Sequence, residues 1–314
     1  MTTFLSRRSF LATGLSAGAL AATTGEVSAA PKSDPSRFRY CLNTSTIRGQ
    51  KLSLDQEIDL AAKVGYDGIE PWIREIEAYI QNGGTATELR KRIDGHGLKV
   101  ESAIGFAQWI VDDEQKRKDG LEQAKRDMDL VQQLGGTHIA APPVGAHRGS
   151  APVDLFKAAE RYRALLEVGA KIGVTPQVEV WGFSDNLSRL GEATFVAIEA
   201  GHPDACLLPD VYHIFKGGSD FAGLKMIAGS QIHCFHVNDY PDAPPRETIA
   251  DKDRVYPGDG IAPLNDIFQT LAANGFQGAL SLELFNPGYW AQDPELVCRT
   301  GLRKTKEAIA KAFA

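Results

Sequence analysis

The chain has 314 residues, of which 43% are hydrophobic and 24% are charged. These proportions are typical of a folded globular protein and exclude collagen-like, disordered and disulfide-scaffold proteins. The 34 Lys and Arg residues against 40 Asp and Glu residues give a net charge of −6. Proteins that bind duplex nucleic acid usually carry a basic surface, so we expect no nucleic acid partner.

The first 30 residues resemble an export signal rather than part of a fold. Arg7 and Arg8 precede a weakly apolar stretch rich in Gly and Ala, and a small-residue cleavage site ends at Ala30. The paired arginines resemble the twin-arginine signal of bacteria, with an ordinary secretory signal as the alternative. We therefore predict a signal peptide over residues 1–30 and a periplasmic location. The apolar stretch is shorter than the roughly 20 residues that span a bilayer, so we predict no membrane anchor.

Short apolar runs alternate with helical patterns from residue 37 onward. Ser53 and Gln56 form a capping box before a helical pattern, and Gly65 and Gly173 stand where a helix gives way to a strand. Eight runs have the length and the continuous hydrophobicity of strands that are buried on both faces. They cover residues 38–44, 66–72, 98–104, 137–142, 174–181, 205–210, 231–238 and 277–285.

Eight alternating βα units predict a parallel sheet that closes into a single (β/α)8 TIM barrel of the α/β class, over residues 31–314. An open doubly wound sheet is the alternative. Such a sheet usually carries a Gly-rich phosphate loop after its first strand, and the segment from Leu42 to Gly49 is not such a loop.

The four cysteines do not have the spacing of a disulfide framework. Cys41, Cys206 and Cys234 lie in predicted strands, and Cys298 lies in the last predicted helix. We interpret them as buried free thiols, and the sequence leaves open only whether Cys206 pairs with Cys234.

Acidic and imidazole side chains stand at the ends of predicted strands five to eight, where a TIM barrel carries its chemistry. They are Glu179, Asp210, His236 and Glu283. Burying three carboxylates together without a cation is very costly. Three carboxylates and one imidazole suit a divalent ion such as Mn²⁺, Co²⁺ or Mg²⁺, with Zn²⁺ as a further candidate. We therefore predict one divalent cation at this end of the barrel.

Five large aromatic residues follow predicted strands two, three, five and eight: Trp72, Phe106, Trp109, Trp181 and Trp290. Aromatic faces around a barrel mouth commonly stack on sugar rings, which favours a small-molecule carbohydrate as the ligand. The alternative is that these rings pack loops against the barrel.

The chain resembles the xylose-isomerase-like family of barrels, which includes sugar isomerases, ketose 3-epimerases, inosose dehydratases and type IV endonucleases. The resemblance rests on Glu179 and on the segments Asp210-Val-Tyr-His213, Phe235-His-Val-Asn-Asp239, Asp253-Arg-Val-Tyr-Pro-Gly-Asp-Gly260 and Leu282-Glu-Leu284. It implies that Glu179, Asp210, His236 and Glu283 hold the metal, and that His213 and Arg254 bind substrate oxygens. Asp185 matches a substrate-binding acid of the epimerases more weakly, and the alternative is the N-cap of a short helix.

The resemblance also implies the reaction. Glu179 and Glu283 would transfer a proton through a metal-stabilised enediolate, which makes the protein an isomerase or epimerase of a free sugar or keto-sugar. A lyase or dehydratase acting on a 3-keto-glycoside or an inosose-like ketone is the alternative, and a non-catalytic sugar-binding module is a third. The endonuclease function is disfavoured, because strands three and four end without additional His ligands. Members of the family are often homo-oligomers.

Overall fold

Eight short parallel strands alternate with helices in the computed structural model, which describes residues 38–314. The predicted signal peptide with Arg7 and Arg8 lies outside these residues. The strands are β1 (Arg39–Asn43), β2 (Gly68–Glu70), β3 (Lys99–Val100), β4 (His138–Ala141), β5 (Thr175–Glu179), β6 (Leu207–Leu208), β7 (Cys234–Val237) and β8 (Ala279–Leu282). Each lies within one of the eight predicted runs.

The strands form two sheets, in the orders β3-β2-β1-β8-β7 and β4-β5-β6. Single contacts join the sheets into a closed barrel. The backbone N–H of Ala140 donates to the carbonyl oxygen of Ala103 at 2.8 Å, and that of His236 donates to Pro209 at 2.9 Å. The first strand pairs with the last, with Leu42 opposite Leu282. The predicted barrel is therefore confirmed, and the open-sheet alternative is wrong.

The helices are α1 (Leu54–Val64), α2 (Ile73–Gln81), α3 (Ala86–Gly95), α4 (Glu114–Gln133), α5 (Leu155–Ile172), α6 (Leu190–Glu199), α7 (Val211–Lys216), α8 (Leu264–Ala273), α9 (Pro287–Trp290) and α10 (Pro294–Ala312). The predicted capping box is present, since the Ser53 N–H donates to Gln56 Oε1 at 3.0 Å. Gly65 and Gly173 end α1 and α5 with φ of 96° and 86°, the left-handed conformation that glycine adopts without strain. In the described part of the chain, no helix combines the length and apolarity needed to cross a bilayer.

Apolar side chains pack in two layers. The larger layer joins the strands to the surrounding helices, and a small cluster that includes Trp72, Leu208 and Cys234 lies inside the barrel. At the opposite end of the barrel from the predicted site, His138 stacks on His233 with ring centroids 4.2 Å apart. All four cysteines are buried free thiols, which confirms the interpretation from the sequence.

Candidate active site

Four predicted side chains converge at the mouth formed by the carboxyl ends of the strands. Glu179 ends β5, Asp210 follows β6, His236 lies in β7 and Glu283 follows β8. The His236 Nδ1 lies 3.3 Å from Glu283 Oε2, 3.7 Å from Asp210 Oδ2 and 3.9 Å from Glu179 Oε1. No member of the group is more than 3% exposed. The structure therefore brings together the four residues that the sequence analysis selected.

The donor atoms of this group fit a divalent cation. Asp210, His236 and Glu283 each offer a ligand atom within 4.8 Å of the others. Glu179 Oε2 and His236 Nδ1 are buried and have no hydrogen-bond partner in the described part of the chain. Buried polar atoms are rarely left unpaired in native proteins. We therefore expect both atoms to contact a group that residues 38–314 do not supply. Carboxylate oxygens with one imidazole nitrogen suit a small divalent ion.

A fifth residue, Glu70 at the end of β2, was missed by the sequence analysis. His236 Nε2 lies 3.0 Å from Glu70 Oε2, and the same oxygen accepts from Ser281 Oγ at 2.6 Å and from Asn43 Nδ2 at 2.9 Å. The His236 and Ser281 hydrogen bonds and the His236 charge outweigh burial and lower the pKa of Glu70. An ionised carboxylate can only accept, so Nε2 carries the hydrogen bonded to Glu70. Glu70 also ends a buried strand, which is the signal that selected Glu179.

Arg254 lies at the centre of the site and is completely buried. Its Nη1 donates to Asp210 Oδ2 and to Glu283 Oε2, each at 2.9 Å. Its Nη2 donates to Asp251 Oδ1 at 2.7 Å and to His213 Nε2 at 3.0 Å. Only Nε lacks a partner among residues 38–314. Arg254 therefore fixes the positions of two predicted metal ligands through hydrogen bonds. Its contact with substrate stays a prediction.

The two glutamates of the site experience opposite electrostatic environments. Burial raises the pKa of Glu179 to about 8. Burial acts in the same direction on Glu283, but the neighbouring His236 and Arg254 charges outweigh it and lower the pKa of Glu283 below its usual value. The two carboxyl groups therefore differ in their affinity for a proton.

His213 is the second imidazole of the site. Burial lowers the pKa of His213 to about 3, so its ring is neutral at pH 7. Its Nε2 accepts from Arg254, which leaves the hydrogen on Nδ1. That Nδ1 is buried and has no partner in the part of the chain that the structure describes. A free donor at the site is consistent with the predicted contact between His213 and a substrate oxygen.

Asp185 stands apart from the buried group. It is exposed, and its Oδ2 accepts from the Ser150 N–H at 3.3 Å. Within residues 38–314 it makes no hydrogen bond with the four predicted metal ligands. The alternative of a helix N-cap is wrong, because α6 begins only at Leu190. A role for Asp185 in substrate binding stays a prediction.

Neighbouring aromatic rings line the mouth. Trp72 lies 6.1 Å from Phe285 and 5.1 Å from Phe106, and Phe106 lies 6.2 Å from Trp181, measured between ring centroids. Trp109 differs, because it is completely buried and its Nε1 donates to the Pro142 carbonyl at 2.9 Å. The expectation that Trp109 faces a sugar is wrong, since this ring packs a loop onto the barrel.

The sequence pattern of the Xylose isomerase-like TIM barrel family matches residues 58–308. The chain belongs to this family. Among its relatives in the Xylose isomerase-like family, inosose isomerase of Bacillus velezensis is 26% identical over 279 residues, which are 88% of this chain and 99% of that protein. The 3-dehydroshikimate dehydratase of Pseudomonas putida is 24% identical over 80% of this chain and 39% of that protein. A crystal structure of IolI protein with a bound zinc atom superimposes with a TM-score of 0.82 at 23% identity, covering 88% of this chain and 100% of that chain.

Proposed function

We propose that this protein is an isomerase or epimerase of a sugar-like carbonyl compound that uses one divalent cation. The observation that carries the proposal is the convergence of three buried carboxylates on His236 Nδ1, at 3.3 to 3.9 Å. The relation to inosose isomerase, which extends over 99% of that protein, supports the class of reaction. The zinc atom bound by the IolI protein supports a divalent metal in this fold.

Glu179, Asp210, His236 and Glu283 would hold the cation. A bound divalent cation polarises a substrate carbonyl and acidifies the neighbouring C–H. Glu179 ends β5 and Glu283 follows β8, so they would reach a substrate in the mouth from different sides. One carboxylate removes the proton and the other returns it to the opposite face, which gives epimerisation. When one carboxylate performs both transfers, the product is the isomer in which the carbonyl has moved.

The remaining residues of the site position the predicted metal ligands and the substrate. Arg254 keeps Asp210 and Glu283 in position through its Nη1, and the positive charge stabilises negative charge that develops on the substrate. His213 donates from Nδ1 to a substrate oxygen. The rings of Trp72 and Phe285 lie 6.1 Å apart at the mouth and would shield a bound substrate from water, which strengthens each of these interactions.

A lyase is the second candidate. The relation to 3-dehydroshikimate dehydratase, over 80% of this chain, favours it. The same proton abstraction, followed by loss of a leaving group from the next carbon, gives elimination of water or of an aglycone.

Solvent exchange tests the proposal. Protein loaded with Mn²⁺ is incubated in D₂O with a ketose or an inosose, and NMR detects deuterium at carbon and the products formed. We expect exchange that is lost in Glu179→Gln and in Glu283→Gln and is kept in Glu101→Gln, a carboxylate paired with Arg39 away from the site. Exchange that persists in both site variants would overturn the proposal. The products separate isomerisation from elimination.

We also propose that the chain is exported through the twin-arginine route and loses residues 1–30, so that the barrel over residues 31–314 is the mature protein. Arg7 and Arg8, followed by the small-residue site at Ala29 and Ala30, support this proposal.

A further inference from the structure

Arg48 lies at the mouth of the barrel, in the segment Thr44–Gln50 that directly follows β1. Its guanidinium carbon Cζ is 4.1 Å from the ring centroid of Trp72, 5.1 Å from that of Phe285 and 6.0 Å from that of Trp290. Three aromatic rings therefore surround one cationic group. A guanidinium stacks favourably on such rings, but the rings offer no hydrogen-bond acceptor in its own plane.

Two of the Arg48 nitrogens are buried without a partner. Nε and Nη2 have no hydrogen-bond acceptor within residues 38–314, and the side chain forms no ion pair there. Arg254, by contrast, has acceptors for both of its Nη atoms. Nε and Nη2 form one edge of the guanidinium, with two parallel N–H bonds that match the two oxygens of a carboxylate. The unpaired edge of Arg48 is therefore shaped for an acceptor from outside the chain.

Acidic residues lie near Arg48 and raise its pKa, but among residues 38–314 none of them accepts a hydrogen bond from its Nε or Nη2. Glu75 Oε2 already accepts from Thr44 Oγ1 at 2.5 Å and from the Trp72 N–H at 3.0 Å. Burial raises the pKa of Glu57 to about 9, which leaves this carboxyl group neutral at pH 7. Burial lowers the pKa of Arg48 only to about 10, so the guanidinium stays a cation.

The segment that carries Arg48 is fixed against β8 on both sides of Glu283. Thr46 Oγ1 donates to the Leu282 carbonyl at 2.8 Å and accepts from the Leu284 N–H at 3.1 Å. Gly49 follows Arg48, and a Cβ at this position would lie 2.1 Å from the Cβ of Trp290, so only glycine permits this close approach. Arg48 is therefore held in place relative to the acid–base glutamate before a ligand arrives.

We propose that Arg48 binds a carboxylate on the substrate, so that this protein acts on sugar-like acids rather than on neutral sugars. The inference rests on the proposed function, because it assigns a substrate class to the same site. A bidentate pair between Arg48 and the substrate carboxylate would orient the reacting carbon toward Glu283.

A matched pair of probes tests this inference. D-Glucuronate and D-glucose share one ring, and a carboxylate in the first replaces the hydroxymethyl group of the second. In ligand-observed NMR titrations of the full chain, with and without Mn²⁺, we expect glucuronate to bind about tenfold more tightly than glucose, as a charge-assisted bidentate pair predicts. Arg48→Met keeps an apolar stem against Trp72. In this variant the ratio of the glucose Kd to the glucuronate Kd should fall close to one.

Arg74→Met is the control, because Arg74 is exposed and its Cζ lies 4.2 Å from the same Trp72 ring. This variant should keep the wild-type ratio. Arg48→Lys keeps a charge without the two-pronged edge, so an intermediate ratio is expected, and this variant decides the question if Arg48→Met does not fold.

Three outcomes would overturn the inference: equal binding of the two probes to the wild type, binding of neither at millimolar concentration, or a ratio unchanged by the substitution of Arg48. Failure of the proposed reaction is a separate result. It would be seen as absent deuterium exchange with glucuronate as well as with the neutral ketoses, in a protein that still prefers glucuronate through Arg48.

Discussion

The imidazole of His236 is oriented by Glu70, whose Oε2 lies 3.0 Å from Nε2 across the inside of the barrel. This bond leaves Nδ1 facing Glu179, Asp210 and Glu283, where it would offer its lone pair to a cation bound among them. Histidines that bind metals usually bond a carboxylate through their other nitrogen, which fixes the ring and raises its basicity. Glu70 is therefore a positioning residue for His236, the predicted metal ligand.

Glu70→Gln should weaken Mn²⁺ binding by about tenfold, because the amide holds the ring without the negative charge that raises its basicity. Isothermal titration with Mn²⁺ measures the change in Kd. Glu101→Gln is a matched control, since Glu101 is buried beside Arg39 and not beside His236. An unchanged Kd in Glu70→Gln would contradict the positioning role.

Asp210→Asn and His236→Ala should lower the amount of metal that copurifies with the protein, because each removes a predicted ligand. Elemental analysis of purified protein gives the stoichiometry directly. Asp185→Asn should retain the wild-type content, since Asp185 is exposed and bonds Ser150 instead. Full metal content in both ligand variants would refute the assignment of the site.

Arg254→Met should destabilise the protein by about 3–5 kcal/mol, because Asp210 and Glu283 lose a buried positive partner. Added Mn²⁺ should restore much of this loss, since a cation that binds only the folded state stabilises it. Thermal unfolding with and without Mn²⁺ measures both effects. If Mn²⁺ raised the Tm of the wild type and of the variant equally, the prediction that the cation compensates for the lost Arg254 charge would be wrong.

The contribution of His138 to the stability of the barrel should be lost as the pH drops below 6.5. Burial lowers the pKa of His138 from 6.5 to about 3, with a contribution from the stacked His233. The unfolded chain therefore takes up a proton at higher pH than the folded one, and protons favour unfolding between pH 6.5 and 3. Denaturant unfolding across this range measures the free energy of unfolding, which should fall less steeply with decreasing pH in His138→Asn than in the wild type. The exposed His96→Asn variant should follow the wild type.

Replacing Arg7 and Arg8 together by Lys should block export, because the twin-arginine route depends on the arginine pair. Subcellular fractionation would then find the protein inside the cell, at its unprocessed length. A single Arg39→Lys change in the barrel serves as the control. Normal export of the double variant would refute the twin-arginine interpretation.

The strands and the four converging residues could be predicted because both depend on local patterns. A strand buried on both faces is continuously apolar, and the rim residue that ends it interrupts the run, as Glu179 and Asp210 do. The role of Glu70 depends on how β2 faces β7 across the barrel, which no local pattern contains. Arg254 comes from the long loop after β7. Only the folded structure shows that this loop brings its guanidinium into contact with both Asp210 and Glu283. The unpaired edge of Arg48 is likewise a property of the assembled mouth.

The pairing of β1 with β8 joins the beginning of the barrel to its end. Asn43 donates to Glu70 at 2.9 Å and to Glu283 at 3.2 Å, so one amide of β1 links the carboxylates at the ends of β2 and β8. A partly synthesised chain on the ribosome has neither this link nor Glu283. The four predicted metal ligands therefore come together only after β8 has been synthesised, so the candidate site is assembled late and cannot guide the folding of the first strands.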